Sequence, residues 1–105
     1  MTARDFIVGL PDQVNPAVLQ GVETNFHFDI KGEGGGQYTA EVVDGELEIS
    51  EGLHGEPKCV VKTDNKTFVG VVTKKTNPMM AVLMGKIKIS NQGELLKYAK
   101  IFGIM

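Results

Sequence analysis

The chain has 105 residues and a formal net charge of −2, with 42% hydrophobic and 23% charged residues. This length predicts a single domain over residues 1–105, and the composition excludes a disordered chain. The only cysteine, Cys59, excludes an internal disulfide and a multi-cysteine metal site.

The first 22 residues carry apolar side chains at helical spacing, since Phe6, Leu10 and Val14 recur every four positions. Gly9 and Pro11 fall within this stripe, so we expect the helix to be broken. The Asn-Pro pair at residues 15 and 16 predicts a second short helix that ends near residue 21.

Alternating apolar and polar residues then predict four strands, over 24–31, 37–43, 46–50 and 58–62. A glycine-rich loop joins the first two strands, and an Asp-Gly pair, a strong signal for a type I′ turn, joins the second to the third. These three strands therefore form an antiparallel meander, and we expect the fourth strand to extend it.

Helical spacing returns after Asp64, which we expect to cap a helix that carries Phe68, Val71 and Val72. The Asn-Pro pair at 77 and 78 begins a further helix of mostly apolar residues, which Gly85 closes.

Residues 86–90 alternate as a fifth strand, and a C-terminal helix begins at Asn91, which forms a capping-box pattern with Glu94. The predicted fold class is α+β, with a largely antiparallel sheet of about five strands and helices gathered on one face.

No motif in the sequence predicts catalysis. The glycine-rich loop 32–36 lacks the third glycine of a G-x-G-x-x-G nucleotide motif and joins two strands instead of opening a helix. His27 and His54 have no further ligand at metal-site spacing, and Cys59 has no recognisable activating base nearby. We therefore expect no enzyme activity, no metal and no cofactor.

Charge is distributed unevenly between the two halves of the chain. Residues 1–52 carry ten acidic and two basic side chains, whereas residues 53–105 carry nine lysines and three acidic side chains. The halves can pair across the fold, or the second half can present a basic face to an anionic partner. Nucleic acid is not expected, because the chain has one arginine and no aromatic residues interleaved with its lysines.

The helices of the second half carry more apolar side chains than one sheet face can bury. In the C-terminal helix Leu95, Tyr98, Ala99 and Phe102 form one stripe, and further apolar residues widen it. A helix on a sheet needs a stripe of roughly 100°, so the surplus must contact another helix, a second subunit or a ligand. The methionines suit an adaptable binding surface, although an ordinary methionine-containing core also fits the pattern.

Residues 77–90 have the sequence NPMMAVLMGKIKIS, which resembles the signature of the sterol carrier protein type 2 lipid-binding domain. That signature is an Asn-Pro start, a short apolar helix, and Gly-Lys followed by alternating hydrophobic residues and lysine. The other predicted elements follow in the order of the family. The resemblance covers about residues 23–104 and is only loose over the first 22 residues.

The resemblance implies a five-stranded sheet whose helices enclose an apolar tunnel for a fatty acid, fatty acyl-CoA, sterol or other lipid. Many members of the family have Gln before the Gly-Lys pair, where this chain has Met84, so the tunnel is expected to be drier there. The implied tunnel walls are Phe68, Val72, Met80, Leu83, Met84, Ile87, Leu95, Ala99 and Phe102.

The first functional hypothesis is a non-enzymatic intracellular lipid carrier. Its ligand would be a fatty acid, acyl-CoA, sterol, phospholipid or quinone, and its lysines could contact an anionic membrane surface. A cytoplasmic location is expected, because the chain has neither a membrane-spanning apolar run nor a signal-peptide pattern. The alternative is a protein-interaction module that uses the apolar face of 95–105 as a dimer or partner interface, or an accessory domain that serves a lipid or quinone enzyme. A carrier is expected to be a monomer, and an interaction module a homodimer.

Overall fold

The computed structural model describes residues 1–99 and residue 101. The helices are α1 (Ala3–Gln13), α2 (Asn65–Val72), α3 (Pro78–Leu83) and α4 (Gln92–Lys97), with a 3₁₀ helix at Pro16–Leu19. The strands are β1 (Thr24–Lys31), β2 (Gly36–Val43), β3 (Glu46–Glu51), β4 (Cys59–Asp64) and β5 (Lys88–Ile89). They form one mixed sheet in the order β3-β2-β1-β4-β5, which confirms the predicted α+β class.

The first three strands form the predicted antiparallel meander, with Phe28 of β1 opposite Tyr38 of β2. Asp44 (φ 54°) and Gly45 (φ 77°) both adopt the left-handed backbone that a type I′ turn requires. Strand β3 is therefore one free edge of the sheet.

The prediction that the fourth strand extends this meander is wrong. Strand β4 pairs with β1 in parallel, with Val61 beside Phe28, on the side of β1 away from β2. The chain must therefore cross about three strand spacings, or about 14 Å, between β3 and β4. The seven residues 52–58 can span this distance. Residue alternation identifies a strand but not the edge at which it joins a sheet.

This crossover, residues 52–58, is held on the sheet face that lies away from the helices. Asn25 Nδ2 and His27 Nε2 donate to the carbonyl oxygen of His54, at 3.2 and 2.8 Å. Thr39 Oγ1 accepts from the His54 amide at 2.9 Å. The three side chains from β1 and β2 are consequently buried, although the alternating pattern placed His27 on a polar face.

Helix α1 is continuous, contrary to the predicted break. It begins with a capping box in which Thr2 Oγ1 accepts from the Asp5 amide at 3.1 Å. Pro11 lies in the last turn, where its missing N–H removes a single hydrogen bond. Burial of Ile7 and Leu10 against the sheet stabilises the helix across that position.

The fifth strand is shorter than the predicted 86–90. The amides of Lys86 and Ile87 donate to the Ala81 carbonyl at the end of α3, at 2.9 and 3.4 Å. These amides are therefore unavailable to the sheet, and only Lys88–Ile89 pairs with β4.

Helix α4 begins as predicted, because Asn91 Oδ1 accepts from the Glu94 amide at 3.1 Å. Glu94 Oε2 accepts from Thr24 Oγ1 of β1 at 2.7 Å, which ties the start of α4 to the sheet. The remainder of the predicted C-terminal helix includes residue 100 and residues 102–105, which lie outside the described residues.

The hydrophobic core lies between the helices and the inward side chains of the sheet. Aromatic edge-to-face contacts cross it, with ring centroids 6.2 Å apart for Phe28 and Phe68 and 6.5 Å apart for Phe26 and Tyr98. The largest fully buried side chains are Tyr38, Phe26, Phe28, Ile7, Val42 and Cys59.

The close approach of Gly35 to the backbone of Ile30 in the β1–β2 loop can be tested by substitution. A Cβ atom on Gly35 would overlap the backbone carbonyl of Ile30, so we expect Gly35→Ala to lower the free energy of unfolding by about 3 kcal/mol or more. Gly32 (φ 91°) has open space around it, so Gly32→Ala should cost only about 1–2 kcal/mol of backbone strain. Urea unfolding of both variants measures the difference, and equal losses would contradict the predicted clash.

Candidate functional site

An apolar cavity of about 40 Å³ lies between β4 and the helices α2, α3 and α4. Its walls come from five consecutive elements of the chain, β4, α2, α3, the segment of β5 and α4, which the parallel placement of β4 brings together. The lining residues are Val61, Thr63, Phe68, Val71, Val72, Pro78, Val82, Ile87, Ile89 and Leu95.

Asp64 fixes the start of α2, the helix that supplies three of the ten lining residues. Its Oδ1 accepts from the Thr67 amide at 2.7 Å, and its Oδ2 accepts from the Thr67 hydroxyl at 2.9 Å. These hydrogen bonds, with a smaller contribution from Lys86, lower the pKa of the Asp64 carboxyl. Phe68 follows one turn later and points into the core, where it is buried.

The turn between α2 and α3 is closed by hydrogen bonds to a single carbonyl. The amides of Lys75 and Thr76 donate to the Gly70 carbonyl at 2.8 and 2.9 Å. A side chain at Gly70 would collide with the Thr76 hydroxyl, so glycine permits this close return of the chain. The turn places Pro78, the first residue of α3, in the cavity wall.

The one polar side chain of the cavity wall has its hydroxyl already paired. Thr63 Oγ1 donates to the carbonyl oxygen of Lys86 at 2.8 Å, and this bond holds the end of the α3 segment on β4. The cavity therefore offers an apolar ligand contact surface without a charged lining residue.

Four of the nine predicted tunnel residues line this cavity, and the structure places the others differently. Ala99 is buried but is not part of the cavity wall, and Phe102 lies outside the described residues. Met80, Leu83 and Met84 point to solvent from α3 and its C-terminal end. The residues found at the cavity are Phe68, Val72, Ile87 and Leu95.

Six cavity residues are absent from the predicted set: Val61, Thr63, Val71, Pro78, Val82 and Ile89. Val61 and Ile89 alternate with exposed lysines along their strands, so residue alternation is the signal that could have found them. Val82 is the inward residue of α3, and its smaller side chain gives little signal beside the larger methionines that flank it in sequence.

An apolar groove of about 320 Å³ lies next to this cavity, formed by α1, the following loop and Ile101. Phe6 lines the groove, Phe68 lines the cavity, and their ring centroids are 5.7 Å apart in an edge-to-face contact. One pair of aromatic rings therefore separates the two spaces.

The single cysteine of the chain, Cys59, lies in the hydrophobic core. Cys59 is fully buried, and burial raises the pKa of its thiol, which disfavours the nucleophilic thiolate. Within the described part of the chain, no three His, Cys, Asp or Glu side chains are close enough to hold a metal ion. None of the described helices has the length and apolar character needed to cross a bilayer.

The sequence profile of the SCP-2 sterol transfer family matches residues 6–103. Hydroxysteroid dehydrogenase-like protein 2 from Xenopus tropicalis is 30% identical over 97 residues. That match covers 88% of this chain but only 22% of the Xenopus protein.

Two solved structures share the fold at low sequence identity. The palmitated SCP2L2 of Aedes aegypti superposes with a TM-score of 0.74 at 20% identity, over 97% of this chain and 95% of its own. The inverting sec-alkylsulfatase Pisa1 of Pseudomonas sp. superposes with a TM-score of 0.79 at 17% identity, over 100% of this chain and 16% of its own.

The capping role of Asp64 can be tested by two substitutions. Asp64→Ala should lower the free energy of unfolding by about 1–2 kcal/mol at neutral pH, whereas Asp64→Asn should lose less because Asn also caps helices.

The lowered pKa of Asp64 also predicts a pH dependence. The ionised carboxyl stabilises the fold at pH values above the pKa of about 3.9 that Asp has in the unfolded chain, and this stability is lost as the pH falls through the pKa of the folded state. The advantage of the native chain over Asp64→Asn should therefore shrink below about pH 4. Equal stability of Asp64→Ala and the native chain would contradict this role.

Proposed function

Because the chain belongs to the SCP-2 sterol transfer family, we propose that it binds the acyl chain of a lipid between the sheet and helices α2–α4 and carries it chemically unchanged. The observation that carries this proposal is the apolar cavity, which lies within the family match and is lined by four residues that the resemblance implied. The palmitated state of the Aedes structure supports an acyl chain as the ligand.

The cavity must enlarge to hold such a chain. Small-molecule sites usually measure about 300–1,000 Å³, and the present cavity is about 40 Å³. The adjacent groove measures about 320 Å³ and is separated from the cavity by the Phe6–Phe68 contact. Displacement of this ring pair would join the two spaces into a site of the required size.

The segment that covers the cavity is attached to β4 through few hydrogen bonds, which include those from Thr63 to the Lys86 carbonyl and from the Ser90 amide to the Val60 carbonyl. Helix α3 has six residues, and the strand that follows it pairs with β4 through only two residues. Short elements with few backbone hydrogen bonds to the rest of a fold open at low free-energy cost. Movement of residues 73–90 away from β4 would therefore admit a ligand without disturbing the β1–β2–β3 meander.

Burial of the chain supplies enough free energy for this rearrangement. An acyl chain of about sixteen carbons gains about 12 kcal/mol at about 0.8 kcal/mol per methylene. Association and ordering cost several kcal/mol, which leaves micromolar to nanomolar affinity. Since no charged residue lines the cavity, the headgroup would remain at the protein surface and fatty acids, acyl-CoA or other acyl lipids would compete for one site.

A second candidate function is that of a lipid-binding accessory domain. The matches cover 22% of the Xenopus dehydrogenase-like protein and 16% of the Pseudomonas sulfatase, so this fold occurs within longer proteins. In that case the site would be the same, and a partner enzyme would use the bound lipid.

Native mass spectrometry of the purified chain provides the first test. We expect a stoichiometric lipid adduct that organic extraction identifies as an acyl lipid, or stoichiometric uptake of palmitate by stripped protein. A mass that stays free of ligand with fatty acids, acyl-CoA and quinones would overturn the proposal.

A substitution that fills the cavity locates the site. Val72→Phe should weaken palmitate binding by about tenfold or more, because the larger ring occupies the space that the acyl chain needs. The matched control is Val43→Phe, at an exposed position of β2 outside the cavity. Displacement of a fluorescent fatty acid measures both affinities, and thermal melting verifies that both variants fold. Equal affinities would show that the ligand lies elsewhere.

A further inference from the structure

Helix α3 has its larger apolar side chains on the outside. Ala81 is buried, and Val82 is half-buried and lines the cavity. The exposed fractions of Met79, Met80, Leu83 and Met84 are 67%, 53%, 78% and 63%. A surface helix of a water-soluble domain normally shows the opposite arrangement, with polar residues outward. We define these four side chains as the α3 patch.

Lysines lie at both ends of the α3 patch. Lys74 and Lys75 are exposed in the turn before α3, and the bonds of that turn to Gly70 hold their backbone beside the helix start. Lys86 is exposed directly after the helix, where the bond from Thr63 holds its carbonyl.

The charge of this region is strongly one-sided. Residues 65–93 include five lysines and no acidic side chain. Of these lysines, Lys74 and Lys75 lie in the turn directly before the α3 patch, and both are exposed.

We propose that the α3 patch, with Lys74 and Lys75, is a docking surface for an anionic lipid bilayer. Exposed apolar side chains flanked by lysines match the interface of such a bilayer, where the apolar groups enter the acyl boundary and the ammonium groups contact phosphates. A second copy of this chain fits less well, because a symmetric dimer would bring the lysines of both copies together.

This docking surface extends the proposed function but does not depend on it. The α3 patch faces away from the cavity, so it can contact a bilayer whether or not the cavity holds a ligand. In a carrier, docking would place the segment that covers the cavity against the lipid that enters it.

Vesicle sedimentation tests the docking surface. The native chain should bind mixed phosphatidylcholine–phosphatidylglycerol vesicles, and binding should fall sharply at high salt or with phosphatidylcholine alone. The double variant Leu83→Gln with Met84→Gln should weaken binding by roughly tenfold or more, and so should the double variant Lys74→Gln with Lys75→Gln.

The matched control for the apolar pair is Val8→Gln with Val43→Gln, which are exposed apolar positions elsewhere. The matched control for the lysine pair is Lys31→Gln with Lys62→Gln. Both control pairs should bind like the native chain.

Tryptophan fluorescence gives a second measurement, since the native chain contains no tryptophan. Leu83→Trp should show a blue-shifted emission on mixed vesicles, whereas Val8→Trp should show none. Four outcomes would each overturn the docking surface. Two concern vesicle binding: binding that does not depend on salt, and control pairs that lose as much binding as the patch variants. The other two are a Leu83→Trp emission that does not shift on vesicles and a dimer of the native chain that Leu83→Gln dissociates.

Palmitate binding in vesicle-free solution separates the two proposals. The Leu83→Gln and Met84→Gln variant should retain palmitate affinity, because neither side chain lines the cavity. Loss of vesicle binding with intact palmitate binding supports the docking surface. Palmitate binding without vesicle binding by the native chain rejects the surface alone, and vesicle binding without palmitate binding rejects only the acyl-lipid site.

Discussion

The parallel pairing of β4 with β1 determines where the second half of the chain lies. It places α2, α3 and α4 beside one another over β4, and the apolar cavity forms between them. The pairing depends in turn on the crossover 52–58, which the side chains of Asn25, His27 and Thr39 hold through His54. Polar contacts on one face of the sheet therefore set the position of an apolar cavity on the other face.

The sequence predicted the local features of this fold well, because they depend on neighbouring residues. The caps at Asp64, Asn77 and Asn91 and the turn at Asp44-Gly45 all occur where the short-range patterns indicated. The edge at which β4 joins the sheet could not be predicted in this way. It depends on contacts between the crossover and strands more than ten residues away in sequence.

The candidate site shows the same division between local and tertiary information. Phe68 and Val72 lie at helical spacing on a helix with a clear buried side, and both reach the cavity. Helix α3 is apolar on all sides, so hydrophobicity does not identify its inward face. The smaller side chains Ala81 and Val82 are the buried and half-buried ones, and the larger Leu83 and Met84 point outward. Hydrophobicity alone therefore does not predict the orientation of this helix.

The two edges of the sheet have a consequence for aggregation. An exposed edge strand is a template on which other chains can add strands and grow into fibrils. Edge strand β3 carries the exposed side chains of Glu46, Glu48 and Glu51, so a second β3 pairing there would align like charges. The opposite edge, β5, offers only two paired residues. Both edges thus resist fibril growth, and this protection matters most when a protein becomes concentrated on a surface.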